Sequence, residues 1–515
     1  MIPLLSRSSV RAFDARSIEV GVPGIVLMEN AGRGAAEAIA RRAPARSARV
    51  VLACGTGNNG GDGFVVARQL VIMGYEPRVF LIGALERVTG DARIAFDAYQ
   101  AIGRAVELVP TDVDLAEVKE SFARADVVVD ALFGTGLDRA LTGLAAEVAE
   151  SLGSAPSLRV ALDVPSGIDA DTGAPLGPAV VADLTLTFAF AKVGLFTPRG
   201  RAHAGEVEIV PIGVPAELPP SIAPSAELVE LADVRAWLAP RGADAHKYSA
   251  GHVAVVAGAF GKLGASLLAA HAALRGGAGA ATIVTWADAA RELSSRVLEL
   301  MVAPIGDDVA ASLDAALHAK KAAVLGPGFG TDARARAAAE YVLSTYLGPL
   351  VLDADGLTLF AGRPEAIAAG VQTARVLTPH AGEAARLLGG SAADVEADRL
   401  GAARRLAVAT QSIVILKGAH SVIVDADGAA LVGPRGSGAL ATAGSGDVLA
   451  GVLGALLCAV PPREAAAAAV TLHAEAGRRL ESTRGDRGVL ASEIADAVPT
   501  IVGELLRARA RVVST

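Results

Sequence analysis

The strongest chemical signal is residues 440–457, LATAGSGDVLAGVLGALL, where Gly444, Ser445 and Gly446 precede Asp447 and a long apolar run. Small residues at a helix start present bare amides, which hold the charge of a phosphoryl group in transfer. A carboxylate on the same turn takes the proton of an attacking hydroxyl. Base and anion hole together are what phosphoryl transfer to an alcohol requires. The plainer alternative is that Asp447 only caps the helix. Lys417, at the end of SIVILKG, offers phosphate a point charge. His380 sits in TPHAGEAARLL, where it is either a ligand contact or a satisfied loop histidine. Asp353 and Asp355, in LDADGL, form a carboxylate pair for magnesium, with one of the two expected to be only a helix cap.

A second signal is CGTGNNGGDGFVVAR, residues 54–68. Its glycines let backbone approach a ligand closely, and a helix expected to open near Asp62 offers free amides to phosphate. The spacing is neither G-x-G-x-x-G nor a Walker A loop, since no Lys-Ser/Thr follows. Asp130 in VDALFGTGLDRA and Asp163 in LDVPSG end later strands. Carboxylates at strand tips are candidates for ligand or base work, and alone they are as readily helix caps. Asn59, Asp130 and Ser166 together would offer an all-oxygen cage to a hard cation, although spacing alone does not require one.

These residues need a frame. RVVLAC (49–54), RVFLIG (78–83), DVVVDALF (126–133), RVALDV (159–164) and DLTLTFAF (183–190) are short apolar strand candidates separated by alanine-rich helical stretches. That alternation predicts a parallel sheet covered on both faces. Residues 214–244 break the pattern with a proline-rich start and read as a linker. A second series follows: HVAVVAG, ATIVT, AAVLGPG, PLVLDADG, ARVLTPH and SIVILKG. Ligands sit at such strand tips in open α/β sheets. The expected fold class is α/β in two domains: residues 1–218, a linker at 219–244, and residues 245–515.

Composition agrees. A chain of 515 residues exceeds one ordinary core, and 52% apolar with 20% charged residues is globular. The net charge of −8 speaks against nucleic acid as a partner. Arg41, Arg42 and Arg46 read as a solvated helix end. Two distant cysteines, Cys54 and Cys458, give neither a disulfide framework nor a metal spacing, and fit small core residues in a reducing, cytoplasmic setting. No leader is visible. The longest uncharged run, 448–462, is too short to span a bilayer and reads as a buried helix.

The motifs LMENAG (27–32), GNNGGDG (57–63), DALFGTG (130–136), DVPSG (163–167) and AKVGL (191–195) occur in the order of the NAD(P)H-hydrate epimerase family, which residues 1–215 resemble. The resemblance implies a Rossmann-like doubly wound sheet. It implies that the hydrated dinucleotide is held by Asn58, Asn59, Gly60, Gly61 and Asp62, by Gly134, Thr135, Gly136, Leu137, Asp138, Arg139 and Ala140, and by Asp163. A potassium ion is implied at Asn59, Asp130 and Ser166. The family often has Pro-Lys where this chain has Ala191–Lys192, so the lysine is kept. The substrate's C6 is a hemiaminal carbon, and inverting it needs a proton donor and acceptor. Asp163 is the first candidate. Lys192 is the second, with a surface lysine as its alternative.

LGPGFG (325–330), LDADGL, TPHAGEAARLL, LKGAHSVI and the Asp447 segment resemble the NAD(P)H-hydrate dehydratase branch of the ribokinase-like fold, over residues 245–502. The resemblance implies substrate contacts at Ala265, at Gly328 or Gly330, at His380 and at Asp447. It implies nucleotide contacts at Lys417, Gly418, Ala419, His420, Ser421 and Gly446, with ADP or ATP as co-substrate and a magnesium ion. Relatives usually carry Gly-Gly-Ser where this chain has Ala257–Gly258–Ala259, so one hydroxyl is lost. The expected partners are the small molecules NADHX, NADPHX and ADP, no membrane, and further copies of the chain in a homo-oligomer.

Overall fold

The computed structural model describes residues 1–111, 115–215, 217–219, 221–242, 244–369 and 373–513, with side chains described through residue 508. The chain divides into two compact units, Pro3–Ala226 and Met1–Ile2 with Glu227–Thr515.

In the first unit the strands lie side by side in the order Glu107–Val109, Arg78–Ile82, Val50–Cys54, Val127–Ala131, Leu158–Leu162, Leu184–Phe188 and Glu206–Val210, all parallel. The central strands Val50–Cys54 and Val127–Ala131 are buried at every residue, as strands with helices on both faces must be. Met28, Ile39, Phe64 and Phe96 fill one face of the sheet, and Val118, Phe122, Val148 and Leu152 fill the other. The chain order reverses between Val50–Cys54 and Val127–Ala131, so a crevice opens between their C-terminal tips, the position where Rossmann-like doubly wound sheets hold ligands. The two edge strands, Glu107–Val109 and Glu206–Val210, did not stand out as apolar runs because an edge strand keeps polar, half-exposed residues. Arg41 and Arg42 are not simply solvated. They pair with Glu206 and Glu208 on that edge at 2.6–2.8 Å.

The second unit is also α/β. Its strands run in the order Met301–Ile305, Ala280–Trp286, His252–Val256, Ala322–Leu325, Leu350–Leu352, Arg375–Leu377, Ile413–Leu416, Val422–Val424, Ala430–Val432 and Ala226–Leu228. Among the described residues of this unit, only the pairings of Val422–Val424 with its two neighbours are antiparallel. The reversal falls between His252–Val256 and Ala322–Leu325. Asp353, Thr378, His380 and Lys417 follow the next strands on one side of it. The run 448–462 expected as one buried helix is helical only to Leu456, in Ser445–Leu456 packed on Leu263–Arg275; the chain then turns, and Pro462 opens the next helix, Pro462–Arg484.

The stretch expected as a linker, 219–244, carries a strand, Ala226–Leu228, paired in parallel with Ala430–Val432, and a helix, Leu231–Trp237, closed by a Glu230/Asp233 capping box. Its AELVEL pattern is short enough to pass for loop. Pro220 and Ala243 of that stretch lie outside the described residues.

Candidate functional site

The crevice of the first unit is a cavity of about 580 Å³. The helix Asn58–Ile72 forms its rim and starts four residues before Asp62, so the amides left free are those of Asn58 and its neighbours. The reason is packing: a Cβ at Gly60 would collide with the Gly55 backbone, so the glycine run coils tightly at once. Asn58, Asn59 and Asp62 line the cavity with Gly134, Thr135, Gly136, Leu137 and Asp163. Gly60 and Gly61 instead face Gly55 and Met28, and Asp138, Arg139 and Ala140 are not part of the lining.

Asp163 holds a left-handed backbone, φ 65°, at the end of its strand. Its Oδ1 lies 2.5 Å from Lys192 Nζ, and its Oδ2 accepts the Thr135 amide at 3.0 Å. Burial pushes the Asp163 pKa up, but the Lys192 ammonium and the Thr135 amide outweigh it and hold the carboxyl below its ordinary value. Lys192 is 1% exposed, which overturns the surface alternative. Register brings it there: Leu4 and Leu5 pair in parallel with Ala191 and Lys192, and the ammonium donates to Phe188 O at 2.8 Å.

Asp130 is fully buried, and its carboxylate accepts the Ser166 hydroxyl at 2.6 Å and the Ser166 amide at 2.7 Å. Burial pushes its pKa up to about 6. Both polar atoms of the Asn59 side-chain amide are buried with no hydrogen-bond partner among the described residues. The orphaned Asn59 carbonyl oxygen and the buried Asp130 carboxylate are each oxygen donors of the kind a hard cation uses.

Two further carboxyls face the cavity. Asp62, fully buried, has its pKa pushed well up by burial, then by Asp163 and Asp14, against the pull of Lys192. Asp14 is raised to about 6, by burial and by Asp163, again against Lys192. Sequence reasoning missed Asp14, because RAFDARS has no glycine, no strand tip and no motif.

In the second unit Asp447 sits on the first turn of Ser445–Leu456, after Gly444 at φ 89°, a left-handed turn that favours glycine. Burial, then Asp353 and Asp355, push its pKa up to about 7, with Lys417 opposing. Lys417, at the end of its strand, is half-buried. Its ammonium is 2.7 Å from Asp353 Oδ1 and 3.8 Å from Glu383 Oε2, and a Cβ on Gly446 would stand 3.4 Å from it. Burial lowers the Lys417 pKa, but Asp353 and Glu383 more than offset this and raise it. Asp353 also accepts the Thr378 hydroxyl at 2.6 Å.

Asp355 takes different partners, the Lys262 ammonium and the Gly330 amide, both at 2.9 Å. Neither aspartate caps a helix: the short helix Asp355–Thr358 is preceded by Ala354 and has no side-chain cap. His380 is the N-cap of Ala381–Leu388, its Nδ1 accepting the Gly382 and Glu383 amides at 3.0 and 3.3 Å. A nitrogen that accepts two amides carries no proton, so Nε2 of the neutral ring is the donor. Gly328 lies beside Ala265, where an added Cβ would stand 3.2 Å from that of Ala265. Phe329 stacks on Trp286 at 5.0 Å, which fixes this loop. In the loop after Lys417, the Ser421 hydroxyl and the Gly418 amide approach at 3.3 Å, Ala419 O accepts the Gly436 amide, and His420 is buried against Gly433 O.

Among the described residues no helix is long and apolar enough to cross a membrane, and the two cysteines are free.

Residues 24–194 match the family model described as YjeF-related protein N-terminus, and residues 253–500 match that described as NAD(P)H-hydrate dehydratase. The bifunctional NAD(P)H-hydrate repair enzyme of Moorella thermoacetica is 38% identical over 95% of this chain and 94% of its own. The enzyme of that name from Thermanaerovibrio acidaminovorans is 40% identical over 96% and 98%. A solved ADP/ATP-dependent NAD(P)H-hydrate dehydratase from Bacillus subtilis, co-crystallised with ATP and Mg2+, is 29% identical, covers 54% of this chain and 99% of that one, and has a TM-score of 0.49.

Proposed function

The chain belongs to the family of bifunctional NAD(P)H-hydrate repair enzymes, and from that premise we propose how its two sites divide the work. It is an NAD(P)H-hydrate epimerase and an ADP- or ATP-dependent NAD(P)H-hydrate dehydratase in one polypeptide. The epimerase work belongs to a domain of residues 1–218 and the dehydratase work to residues 245–515. The observation that carries this reading is the presence of two separate acid–base centres in one chain, Asp163 with Lys192 and Asp447 with Lys417.

In the first, the hydrated ring enters the cavity lined by Asn58, Asn59, Asp62, residues 134–137 and Asp163. Inverting C6 requires its C6–O bond to break and water to add back from the other face; Asp163, kept ionised by Lys192, accepts the proton of the incoming water, with Lys192 as the second group placed to handle a proton. A potassium ion would be held by Asn59, Asp130 and Ser166, where its charge would offset the buried Asp130 carboxylate.

In the second, Asp447 takes the proton of the C6 hydroxyl, whose oxygen then bonds to the terminal phosphorus of the nucleotide. The bridging P–O bond breaks, so ADP leaves as AMP. The phosphorylated C6 oxygen departs as phosphate with its bonding pair, loss of the C5 proton restores the ring double bond, and NAD(P)H results. Phosphate leaves far more readily than hydroxide. Ala265, Gly328 and His380, through Nε2–H, contact the substrate. The segment Lys417 to Ser421 and Gly446 contact the nucleotide, and magnesium would accompany the phosphates near Asp353 and Asp355. The proposal extends to a cytoplasmic homo-oligomer, whose self-association light scattering tests.

The division of labour is tested with two variants. Asp163→Asn should abolish interconversion of the R and S hydrates and spare dehydration of pure S hydrate, and Asp447→Asn should do the reverse. A single substitution that removes both activities contradicts two independent centres.

A further inference from the structure

The cavity of the first unit is built from more than the strand tips that carry Asp163. The helix Arg7–Glu19 also faces it, through Val10, Arg11, Asp14 and Ile18, residues spaced so that one side of the helix looks inward. Of these, Asp14 is the group able to move a proton at neutral pH. It is half-buried, and among the described residues no hydrogen bond or ion pair holds its carboxyl. An inward carboxyl left without a protein partner in a ligand cavity has its bonding capacity free for substrate. Inverting a carbon bearing oxygen requires oxygen to leave one face and return on the other, so a further proton-handling group on a separate element can serve the second face. Asp163 follows the strand Leu158–Leu162, and Lys192 lies on the short strand Ala191–Lys192 paired with Leu4 and Leu5. Asp14 comes from a separate helix.

On the reading of this cavity as the epimerase site, we propose that Asp14 is a second catalytic residue of the epimerisation, the acid that protonates the departing C6 hydroxyl. Its proton goes to the hydroxyl oxygen, the C6–O bond breaks with its pair leaving on water, and the ring nitrogen's lone pair closes an N1=C6 iminium. Water then bonds to C6 from the other face and gives a proton to Asp163, while the iminium pair returns to nitrogen. Nothing is oxidised or reduced. Asp14 and Asp163 are reset by exchange with solvent.

The charged environment supports the protonated form. Asp14 faces Asp163 and Lys192, with Asp62 on Asn58–Ile72 and Asp91 on Gly90–Ala101 lining the same cavity and Arg11 on its own helix. Burial and the Asp163 charge keep its proton on to a pH of about 6. The acid must be protonated to act, so epimerase kcat/KM should fall as pH rises through the Asp14 pKa, while Asp163 stays ionised throughout.

The test uses the full-length protein. Asp14→Asn is nearly isosteric and breaks no hydrogen bond or ion pair among the described residues, so dehydration of pure S hydrate should be unchanged and reports a folded chain. Interconversion of purified R and S hydrates, followed by chromatography across pH 5–9, should lose at least about 100-fold in kcat with KM within a few-fold. The falling limb near pH 6 should vanish, and Asp14→Glu should recover part of the rate. An Asp14→Asn enzyme with more than half the wild-type kcat and an unchanged pH profile refutes the proposal, as does a change confined to KM. If wild type itself fails to interconvert the hydrates, the reading of the cavity falls and takes this proposal with it. If wild type is active and Asp14→Asn equals it, only the role of Asp14 falls.

Discussion

Replacing Lys192 by Met removes the one charge that keeps Asp163 ionised. The two groups are 2.5 Å apart, and Lys192 is 1% exposed, so water cannot substitute for the ammonium. A buried carboxylate stripped of its partner escapes by taking up a proton. With an unfolded pKa of about 3.9, that uptake costs about 1.4 kcal/mol per pH unit above 3.9, hence roughly 4 kcal/mol at pH 7 and roughly 1.5 kcal/mol at pH 5. The pH 7 figure agrees with the loss of about 3–5 kcal/mol typical of breaking a buried pair from one side.

The sign differs between the two proteins. In wild type the Asp163 pKa is depressed, so its contribution is present above the unfolded value and is lost only as pH falls through the folded pKa. Between pH 5 and 7 it is flat. In Lys192→Met the pKa lies above the unfolded value, so stability falls steadily over that window as pH rises. Both tryptophans, Trp237 and Trp286, belong to the second unit, so fluorescence serves as a control and should not change. Hydrogen exchange in Val127–Ala131 and Leu158–Leu162 reports the first unit, and its opening free energy should drop by these amounts. Pairing the change with Asp163→Asn should restore most of the stability without activity. A Lys192→Met protein equally protected at pH 5 and pH 7 would refute the reasoning.

Asp447→Asn should lower dehydration of pure S hydrate by about 10²–10⁴-fold while epimerisation is unchanged, and retention of more than a tenth would leave Asp447 as a helix cap. Because the Asp447 pKa is raised to about 7, wild-type dehydration should climb as pH rises through 7 and level off above it, which a rate profile with saturating ADP checks. Asp130→Ala should remove the potassium dependence of epimerisation and leave dehydration normal. An unchanged potassium response rules the cation site out. Cleavage of the chain near Pro220 should leave two folded fragments, the second keeping Ala226–Leu228 with its partner strand. Two insoluble fragments would show that the units are not independent.

The sequence made the central strands readable, because Val50–Cys54 and Ile413–Leu416 are unbroken apolar runs and Val127–Ala131 is interrupted only by Asp130, all fully or nearly buried. Strands of three residues such as Val422–Val424 or Glu107–Val109 fall below the length at which a pattern separates from loop. The glycine run at 55–63 was legible as a ligand loop, but the helix start was not, since it depends on how closely Gly60 packs on Gly55. Lys192 looked ambiguous because its burial comes from register with Leu5, a pairing across the chain that no local pattern encodes. Asp14 and the partners of Lys417 were hidden for the same reason. Electrostatic neighbours are set by tertiary contact, so the raised Asp447 pKa could not be read from GSGD alone.

The central claim, that one chain both interconverts and dehydrates the hydrates, is tested most directly by giving the intact protein an equal mixture of R and S hydrates and following NADH absorbance with and without ADP. Without nucleotide no NADH should form, while the isomer ratio still returns to equilibrium after either isomer is added alone. With ADP the whole mixture, R included, should become NADH, with AMP and phosphate released in equal amount. NADH formation that stops at the S half, or that proceeds without nucleotide, would contradict the account.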